Sequence, residues 1–492
     1  MNGNFGLLLA RRCSGRSRLI DAVAGTETGI SEGIARWAGF FSARGLRAGD
    51  RLVLGCSLSV RTLTAYLGAL YAGLETATVD NARLLPAADF LADLSGIKAL
   101  WSEDVRVRDA ARLRGVPVLE GDPDACLAPV EAGWRGDDEI ALLVATSGSL
   151  GMPKFVMVSQ ANLAANTAAI VRSQQLLEGG DECAMLILPV AYCFGASVLH
   201  THLYCGGSVV VDGRFMFPDR VLAAMARWGC TSFAGVPSVY KLLLRRSSFG
   251  KIAIPALVRL LQAGGPLDTG SIAAVRAKMP GVAFYVMYGQ TEATARISCL
   301  DPERIETKVG SVGRPLDNLV VEVRDPLGNR LGPGTRGRIW VQGPSVCQGY
   351  LDDPGATGEV FVDGWLDTRD VGMLDFDGFL WLDGRSEEFL KVRGVRLAFG
   401  EIEARVRGVA GVADAAVVAV PHVEAGEVPV VFVVSLPGPV PGVVEAVRAL
   451  LPPAWSCERV VALPSLPLND RGKVDRKHLR NLALEAEPLD AD

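Results

Sequence analysis

The chain has 492 residues, a formal net charge of −5 and 21% charged residues, with acidic and basic side chains mixed throughout. No basic stretch interleaved with aromatic residues points to nucleic acid. No run of about 18 apolar residues is present, so we expect no membrane span. The length exceeds what one hydrophobic core usually supports and predicts two to four domains.

Cysteine usage and the N-terminal residues bear on location. Ten cysteines are scattered without a C-x-x-C pair, which favours reduced thiols in the cytoplasm over a disulfide framework or a zinc site. The apolar run Leu7–Ala10 is followed by Arg11 and Arg12. That run is too short for a signal peptide, and its positive charges lie on the wrong side.

The first predicted elements alternate between helices and strands. Ile30, Ile34, Trp37 and Phe41 recur at helical spacing and predict one amphipathic helix, which Gly45 ends. Further predicted elements follow in chain order: a strand at 51–55, a helix at 61–72, strands at 185–188 and 208–211, and a helix at 239–245. Such alternation predicts an α/β fold, with parallel sheets covered by helices on both faces.

The pattern of apolar runs and turn residues changes at residue 317. Between 317 and 384, short apolar runs such as 320–323 and 338–341 are separated by glycine and aspartate turns, which predicts a small β-barrel-like subdomain. Beyond Arg385, apolar runs at 415–420 and 429–434 precede an amphipathic helix at 443–451, which Pro452 and Pro453 end. These elements predict a small α+β domain.

A strand-like apolar run at 140–145 is followed directly by Thr-Ser-Gly-Ser-Leu-Gly-Met-Pro-Lys at 146–154. Glycines let backbone N–H groups converge on an anion, and the hydroxyls and Lys154 add donors and charge. The loop therefore predicts phosphate binding, although alone it is also compatible with a solvated turn. It lacks the G-K-[ST] ending of a P-loop, which disfavours a P-loop ATPase.

Three later segments accompany this loop: Tyr-Gly-Gln-Thr-Glu at 288–292, Asp-Thr-Arg-Asp at 367–370 with Gly384-Arg385, and Asn-Asp-Arg-Gly-Lys at 469–473. In this order and at these separations, they resemble the motifs of the adenylate-forming superfamily. That superfamily includes acyl-CoA synthetases, luciferase and the adenylation domains of nonribosomal peptide synthetases. The resemblance extends from about residue 25 to 480. It implies a large N-terminal domain (1–386), a small mobile C-terminal domain (387–492) and a hinge at Glu387.

The resemblance implies ATP-dependent conversion of a carboxylic acid to an acyl-AMP, with Mg²⁺ as cofactor. The residues implied to bind the β- and γ-phosphates are Thr146, Ser147, Gly148, Ser149, Gly151 and Lys154. Leu150 stands where the family usually has a hydroxyl, so one donor is missing. Glu292 matches the magnesium ligand and Thr291 the donor to the α-phosphate. Tyr288 is implied to stack on one face of the adenine, with Gly264, Gly265 and Pro266 covering the other face, and Gly289 is implied to bind the nucleotide as well.

Asp370 and Arg385 match the residues that hold the ribose, and Arg369 stands where glycine is common. Lys473 matches the catalytic lysine that contacts both the substrate carboxylate and the phosphate, a task that suits a compact ammonium. In a second step a phosphopantetheine thiol takes the acyl group. For this step Gly394 and Arg396 match residues at the pantetheine tunnel and near the AMP.

The acyl pocket is implied by the same alignment to comprise Tyr192, Gly195, Ala196, Leu199, Leu261, Ala263 and Met287. This wall is apolar and suits an alkyl or aryl group. Gly195 replaces the aspartate that holds the ammonium in amino-acid-activating domains, so we expect an acid without an α-amino group. Arg296 has two readings: a structural arginine, or a partner for a second anionic group at the far end of the substrate.

Two acceptors fit these residues equally well, namely CoA and the pantetheine arm of a carrier protein. A non-catalytic nucleotide-binding homologue is a further alternative. Leu150 supports that alternative, whereas Lys473 and Glu292 argue against it.

Overall fold

We analysed the protein as a computed structural model. The structure describes residues 3–13, 15–81, 94–125, 130–146, 154–385, 389–392, 395–422, 426–436, 442–450, 459–469 and 472–485. The chain forms two compact units, Met1–Val321 with Trp340–Thr368 and Glu322–Ile339 with Arg369–Asp492. The predicted hinge at Glu387 lies outside the described residues, and the predicted boundary there stays a prediction.

The α-helices of the described residues are, in chain order, α1 (Phe5–Arg12), α2 (Ile30–Ala43), α3 (Val60–Tyr71), α4 (Val105–Leu113), α5 (Gln160–Ser173), α6 (Cys193–Tyr204), α7 (Pro218–Arg227), α8 (Pro237–Arg246), α9 (Thr269–Lys278), α10 (Pro354–Val360), α11 (Phe399–Arg407), α12 (Val443–Leu450) and α13 (Arg476–Glu485). None of these helices is long and apolar enough to cross a membrane.

The strands of the same residues are β1 (Arg18–Asp21), β2 (Thr26–Gly29), β3 (Arg51–Cys56), β4 (Glu75–Asp80), β5 (Ile97–Ser102), β6 (Ile140–Ala145), β7 (Phe155–Ser159), β8 (Cys183–Leu186), β9 (Ser208–Val211), β10 (Ser232–Gly235), β11 (Arg259–Gln262), β12 (Ala283–Tyr288), β13 (Ser298–Leu300), β14 (Arg314–Pro315), β15 (Val320–Arg324), β16 (Gly337–Gln342), β17 (Phe361–Val362), β18 (Trp365–Leu374), β19 (Leu380–Arg385), β20 (Phe389–Val392), β21 (Val395–Ala398), β22 (Val412–His422), β23 (Gly426–Ser435) and β24 (Arg459–Ala462).

Two sheets dominate the first unit. Nine of the described strands form one sheet in the order β14-β13-β12-β11-β10-β8-β9-β1-β2, and five form another in the order β5-β3-β4-β6-β7. Pairing is parallel from β12 through to β1 and from β5 through to β6, while β2, β7, β13 and β14 pair antiparallel. The predicted parallel sheets flanked by helices are therefore confirmed, with antiparallel strands added at their edges.

The β-rich stretch predicted at 317–384 contains β15 to β19, in the order β15-β16-β18-β17 with β19 on β18. This half-barrel sheet confirms the predicted barrel-like unit. In the C-terminal part, β20 to β24 form a sheet with the order β21-β20-β23-β22, and β24 pairs with β23. The small α+β domain is confirmed as well.

Most predicted elements occur close to their predicted bounds. The face Ile30, Ile34, Trp37 and Phe41 is buried on α2, because a helix turns these positions onto one side. The strand predicted at 185–188 instead pairs as β8, two residues earlier. Its last predicted residues, Ile187 and Leu188, are buried beyond the end of the pairing. Residues 451–453 lie outside the described residues.

A buried histidine packs among the helices of the first unit. His200 on α6 is 3% exposed, its Nε2 lies 2.8 Å from the Tyr66 hydroxyl on α3, and its ring packs edge-on against Phe5 on α1. Burial lowers the pKa of His200 from 6.5 to about 3. The folded protein therefore resists protonation at a site that the unfolded chain protonates readily.

We predict that acid destabilises this unit through His200. The unfolded chain binds the proton below pH 6.5 and the folded one only near pH 3, so stability falls as the pH drops between these values, by about 1.4 kcal/mol per unit. Because of His200, the free energy of unfolding measured with urea should be about 2 to 3 kcal/mol lower at pH 4.5 than at pH 7. His200→Gln should lose that component. His202 contributes equally to the pH dependence of the parent protein and of the variant. If the free energy of unfolding of His200→Gln depends on pH as strongly as that of the parent, His200 is not the source.

Candidate active site

The hydroxyl- and glycine-rich loop starts and ends on two paired strands. Ala145, the last residue of β6, pairs with Phe155, the first of β7. The N–H and the hydroxyl of Thr146 both donate to the Lys154 carbonyl, at 2.8 and 3.2 Å. The two ends of the predicted phosphate loop are thus held together. The remaining predicted loop residues lie outside the described residues: Ser147, Gly148, Ser149, Leu150 and Gly151.

Lys154 has two described neighbours. Its Nζ lies 2.9 Å from Oδ2 of Asp353 and 5.4 Å from the ring centroid of Tyr350. The side chains of Lys154 and Asp353 are 44% and 39% exposed, and ion pairs as exposed as this one contribute little to stability. The ammonium can therefore be redirected to a phosphate at small cost.

Tyr350 connects Lys154 to the second motif. Its hydroxyl donates to Oε1 of Glu292 at 2.9 Å. The tyrosine is fixed because its backbone segment runs along β7: the Leu351 N–H donates to the Phe155 carbonyl at 2.8 Å, and the Met157 N–H donates to the Gly349 carbonyl at 2.9 Å. Tyr350 was not predicted from the sequence, because it lies outside the four motifs used above.

The Tyr-Gly-Gln-Thr-Glu motif forms a short excursion between β12 and β13. Tyr288 and Ser298 pair at its base, and residues Thr291–Ala293 form one 3-10 turn. A side chain at Gly289 is impossible without a backbone shift, because its Cβ would lie 1.8 Å from the Ala295 carbonyl oxygen. The Cys347 N–H donates to the Glu292 carbonyl at 2.9 Å. The excursion therefore has one closely packed conformation.

Residues 192–199, the acyl segment, contain four of the predicted acyl-pocket residues and adjoin this excursion. Thr291 Oγ1 lies 3.6 Å from Sγ of Cys193, the first residue of α6. The predicted pocket residues Ala196, Leu199, Leu261, Ala263 and Met287 are all buried, whereas Tyr192 is partly exposed. Leu261 lies on β11 beside β12. The contact between Thr291 and Cys193 brings the start of α6 to the Tyr-Gly-Gln-Thr-Glu motif.

Gly195 carries a steric constraint that the sequence does not reveal. A Cβ at this position would lie 2.3 Å from the Pro189 carbonyl oxygen and 2.7 Å from that of Leu188. Any side chain here would require the backbone to move. Replacing Gly195 by aspartate would therefore fail on packing grounds, whatever acid the pocket accepts.

The predicted adenine residues lie at neighbouring strand ends. Gly264, Gly265 and Pro266 follow β11, and Tyr288 ends β12, which is parallel to β11. Carboxyl ends of adjacent parallel strands meet at one edge of a sheet, where open α/β sheets bind ligands. Nε2 of Gln262 donates to the Gly265 carbonyl at 2.7 Å, which orients this turn.

In the second unit, the two predicted ribose residues are partners across a strand pair. Asp370 on β18 is opposite Arg385 on β19 and is 8% exposed. Arg369 has φ +59°, in the left-handed region where non-glycine residues are strained. This backbone conformation gives a physical reason for the glycine that is common at this position in the family.

Lys473 ends a tight turn. The Asn469 N–H donates to the Lys473 carbonyl at 2.7 Å, and the Lys473 N–H donates to Oδ1 of Asn469 at 3.1 Å. The side chain of Lys473 is exposed. Directly after the turn, Arg476 donates to Oε1 of buried Glu403 at 2.6 Å and to the Val417 carbonyl at 2.7 Å. Arg476 and Glu403 thus anchor this turn, which the sequence did not predict.

The remaining predicted residues have little or no description. Glu387 and Gly394 lie outside the described residues, and Arg396 is described only as a member of β21, opposite Lys391. Among the residues that the structure does describe, no group of three or more His, Cys, Asp or Glu side chains could hold a metal ion. A single carboxylate still suits Mg²⁺, which completes its shell with phosphate oxygens and water.

Comparison with known proteins gives the family. Residues 29–351 match the model of the AMP-binding enzyme family, and residues 401–473 match the AMP-binding enzyme C-terminal domain. The chain belongs to the AMP-binding enzyme family. Its membership of the adenylate-forming superfamily, inferred above from four motifs, is therefore confirmed.

Named relatives and solved structures agree with this family. Feruloyl-CoA synthase of an Amycolatopsis species is 33% identical over 83% of each chain. The 4-coumarate-CoA ligase 2 of Narcissus pseudonarcissus is 32% identical over 74% of this chain and 65% of its own. ATP-bound MatB from Rhodopseudomonas palustris superposes with a TM-score of 0.87 at 27% identity, covering 99% of both chains.

We predict that Tyr350→Phe weakens adenylation by freeing the Glu292 carboxylate. A hydrogen bond to a charged group is worth roughly 1.5–3 kcal/mol, so kcat/KM for acid-dependent pyrophosphate release should fall roughly 10-fold or more. The Mg²⁺ concentration for half-maximal rate should rise.

The matched control is Tyr204→Phe, which removes a hydroxyl that accepts from Arg12 at 3.1 Å at the opposite end of α6. This control should leave unchanged both kcat/KM for pyrophosphate release and the Mg²⁺ concentration for half-maximal rate. If Tyr350→Phe has the same Mg²⁺ dependence as the parent protein, Tyr350 does not orient Glu292.

Proposed function

We propose that this chain activates a carboxylic acid as an acyl-AMP and then transfers the acyl group to the thiol of CoA. The enzyme class is that of AMP-forming acid–thiol ligases. The observation that carries the finer proposal is the cluster around Tyr350, which joins the end of the phosphate loop to the Glu292 motif.

The first step is a displacement at phosphorus. A carboxylate oxygen attacks the α-phosphate of ATP, the bond to the β-phosphate breaks, and pyrophosphate leaves. In the second step the thiol sulfur attacks the acyl carbonyl, AMP leaves, and the thiol proton is released. Such steps need positioning and charge neutralisation more than a protein nucleophile.

The first unit supplies the triphosphate site. Lys154 provides a positive charge whose ion-pair partner among the described residues is the exposed carboxylate of Asp353, and Thr146 lies at the base of the same loop. Thr291, which lies beside the acyl segment, is assigned to the α-phosphate. Tyr288 and the turn 264–266 enclose the adenine at the strand ends.

Magnesium is assigned to Glu292. Oε1 accepts from Tyr350, while Oε2 accepts no hydrogen bond within the described part of the chain. A carboxylate oriented through one oxygen leaves the other available for a hard cation. The ion would neutralise phosphate charge and orient the triphosphate for attack.

Asp370 and Arg385 are assigned to the ribose, and Lys473 to the carboxylate and phosphate during adenylation. The exposed ammonium of Lys473 at the end of a braced turn suits a residue that acts on a bound substrate. Gly394 and Arg396 are assigned to the thioester step, and Glu387 to the hinge between the two steps.

The acid itself is proposed to lack an α-amino group and to carry an apolar body. Gly195 offers no anionic partner for an ammonium, and the buried residues around it are apolar. Two of the relatives named above are a feruloyl-CoA synthase and a 4-coumarate-CoA ligase, which supports an aryl acid here.

We predict that Lys473→Ala lowers acyl-AMP formation by roughly 100-fold or more, as expected when a group that stabilises developing charge is lost. Thioester formation from supplied acyl-AMP and CoA should be retained. Pyrophosphate release and thioester yield measure the two steps separately. Lys477→Ala, also exposed but on α13, is the control and should retain both. Equal loss of both steps in Lys473→Ala would exclude the assigned role.

The acceptor is tested separately. We predict that CoA supports thioester formation, whereas the alternative proposal is a holo-carrier protein. Parallel reactions with CoA and with a panel of phosphopantetheinylated carrier proteins, followed by mass spectrometry, distinguish the two. If a carrier protein supports thioester formation and CoA does not, the carrier protein is the acceptor, and the proposed adenylation step still holds.

A further inference from the structure

Arg296 is a buried cation that lies next to the Tyr-Gly-Gln-Thr-Glu motif and to the start of α6. It follows Glu292 in the excursion between β12 and β13, and its backbone is fixed by Asn166 on α5, whose amide donates to the Arg296 carbonyl at 2.9 Å and accepts from its N–H at 3.2 Å. The guanidinium carbon lies 5.1 Å from the ring centroid of Phe194 on α6. Arg296 is 2% exposed.

Among the described residues, none supplies a counter-charge to this guanidinium. Within the described part of the chain its side chain makes no ion pair or hydrogen bond, and its Nε is fully buried without a partner. Another buried arginine, Arg259, shows the contrast. It pairs with Glu182 at 2.8 Å and donates to the carbonyls of Gln174 and Gln175 at 3.0 and 2.7 Å.

An unpaired buried charge is strongly unfavourable, because desolvation is not offset by a partner. Burial lowers the pKa of Arg296 to about 10, so the group remains a cation at neutral pH. The nearby thiol of Cys299 does not supply the missing charge, since burial raises its pKa to about 11. In the part of the chain that the structure describes, this positive site therefore lacks an anionic partner.

The position of this charge indicates the ligand. Phe194 lies in the first turn of α6, which contains no acidic residue, and a helix N-terminus favours an anion. The neighbouring residues Gly195 and Ala196 belong to the acyl segment. A guanidinium presents a planar fork of N–H donors that matches a carboxylate in a bidentate pair.

We propose that Arg296 binds a second carboxylate at the distal end of the acyl substrate, so that the enzyme activates dicarboxylic acids with an apolar spacer. This inference rests on the proposed function for the reacting end of the substrate. Phe194 holds the arginine in place and contacts the spacer.

Matched acids test the proposal. We predict that pyrophosphate release has a kcat/KM at least about 100-fold higher for an acid with a distal carboxylate than for its counterpart without one, because a site built for a polar group rejects analogues that lack it. The pairs are 4-carboxycinnamic against cinnamic acid, and adipic against hexanoic acid. A ratio near one for both pairs would overturn the inference while leaving the proposed function intact.

Arg296→Met should reduce this ratio to near one while retaining turnover of the monoacids, and Arg296→Lys should keep part of the preference. The control Arg172→Met, on the exposed side of α5 with Asp317 as its partner, should keep the full ratio. A preference that survives in Arg296→Met would exclude this residue as the anion partner.

Thermal unfolding without ATP separates binding from catalysis and from a structural role. Arg296→Met should melt at the same or a higher temperature than the parent, because an unpaired charge is removed, whereas Arg259→Met should melt lower because it leaves Glu182 unpaired. 4-Carboxycinnamate should raise the melting temperature of the parent only. If no acid supports pyrophosphate release, this ligand shift alone decides the inference. A parent protein without the shift, or a variant Arg296→Met that melts lower, would contradict it.

Discussion

The hydrogen bond from the Tyr350 hydroxyl to Glu292 depends on how the chain runs along the edge of one sheet. Because residues 348–351 follow β7, the tyrosine is held between the end of the phosphate loop and the excursion after β12. The same stretch supplies the Cys347 N–H that fixes the Glu292 carbonyl, and Asp353, which both pairs with Lys154 and caps α10. One edge segment thus positions a cation, an anion and a turn that are distant in sequence.

The second unit uses a different means of fixing its key residue. Lys473 extends from a turn closed by Asn469, and the turn is anchored through Arg476 to Glu403, a buried carboxylate that also pairs with Arg407. Glu403 in addition accepts from the Val417 N–H. A buried carboxylate is tolerated here because it has several partners. The lysine itself stays exposed, while the residues after it are held rigidly.

What the sequence could predict follows the range of the interactions involved. The helical spacing of α2 and the apolar run of β9 are local patterns, so their bounds were predicted closely. The bounds of β8 were not, because the apolar run 183–188 continues past the last paired residue and burial alone does not mark where pairing ends. The motifs gave the candidate residues. Tyr350, Asp353 and Glu403 were missed because their roles arise from partners far away in the chain.

Arg296 and Arg259 illustrate the same limit for charged residues. Both are arginines near the ends of apolar strands, and nothing in their local sequence distinguishes them. Among the described residues, Arg259 contacts Glu182 and two carbonyls, whereas the Arg296 side chain contacts an aromatic ring. Whether a buried charge is paired is decided by tertiary structure, so the two readings left open for Arg296 could not be separated from the sequence.

The close approach of Gly195 to the Leu188 and Pro189 carbonyls has a consequence for protein engineering. Converting this scaffold to accept amino acids cannot start from a point substitution at Gly195. The loop leading into that helix would first have to be rebuilt to create room for a β-carbon. Laboratory evolution at this position would therefore have to vary the residues of that loop together with Gly195.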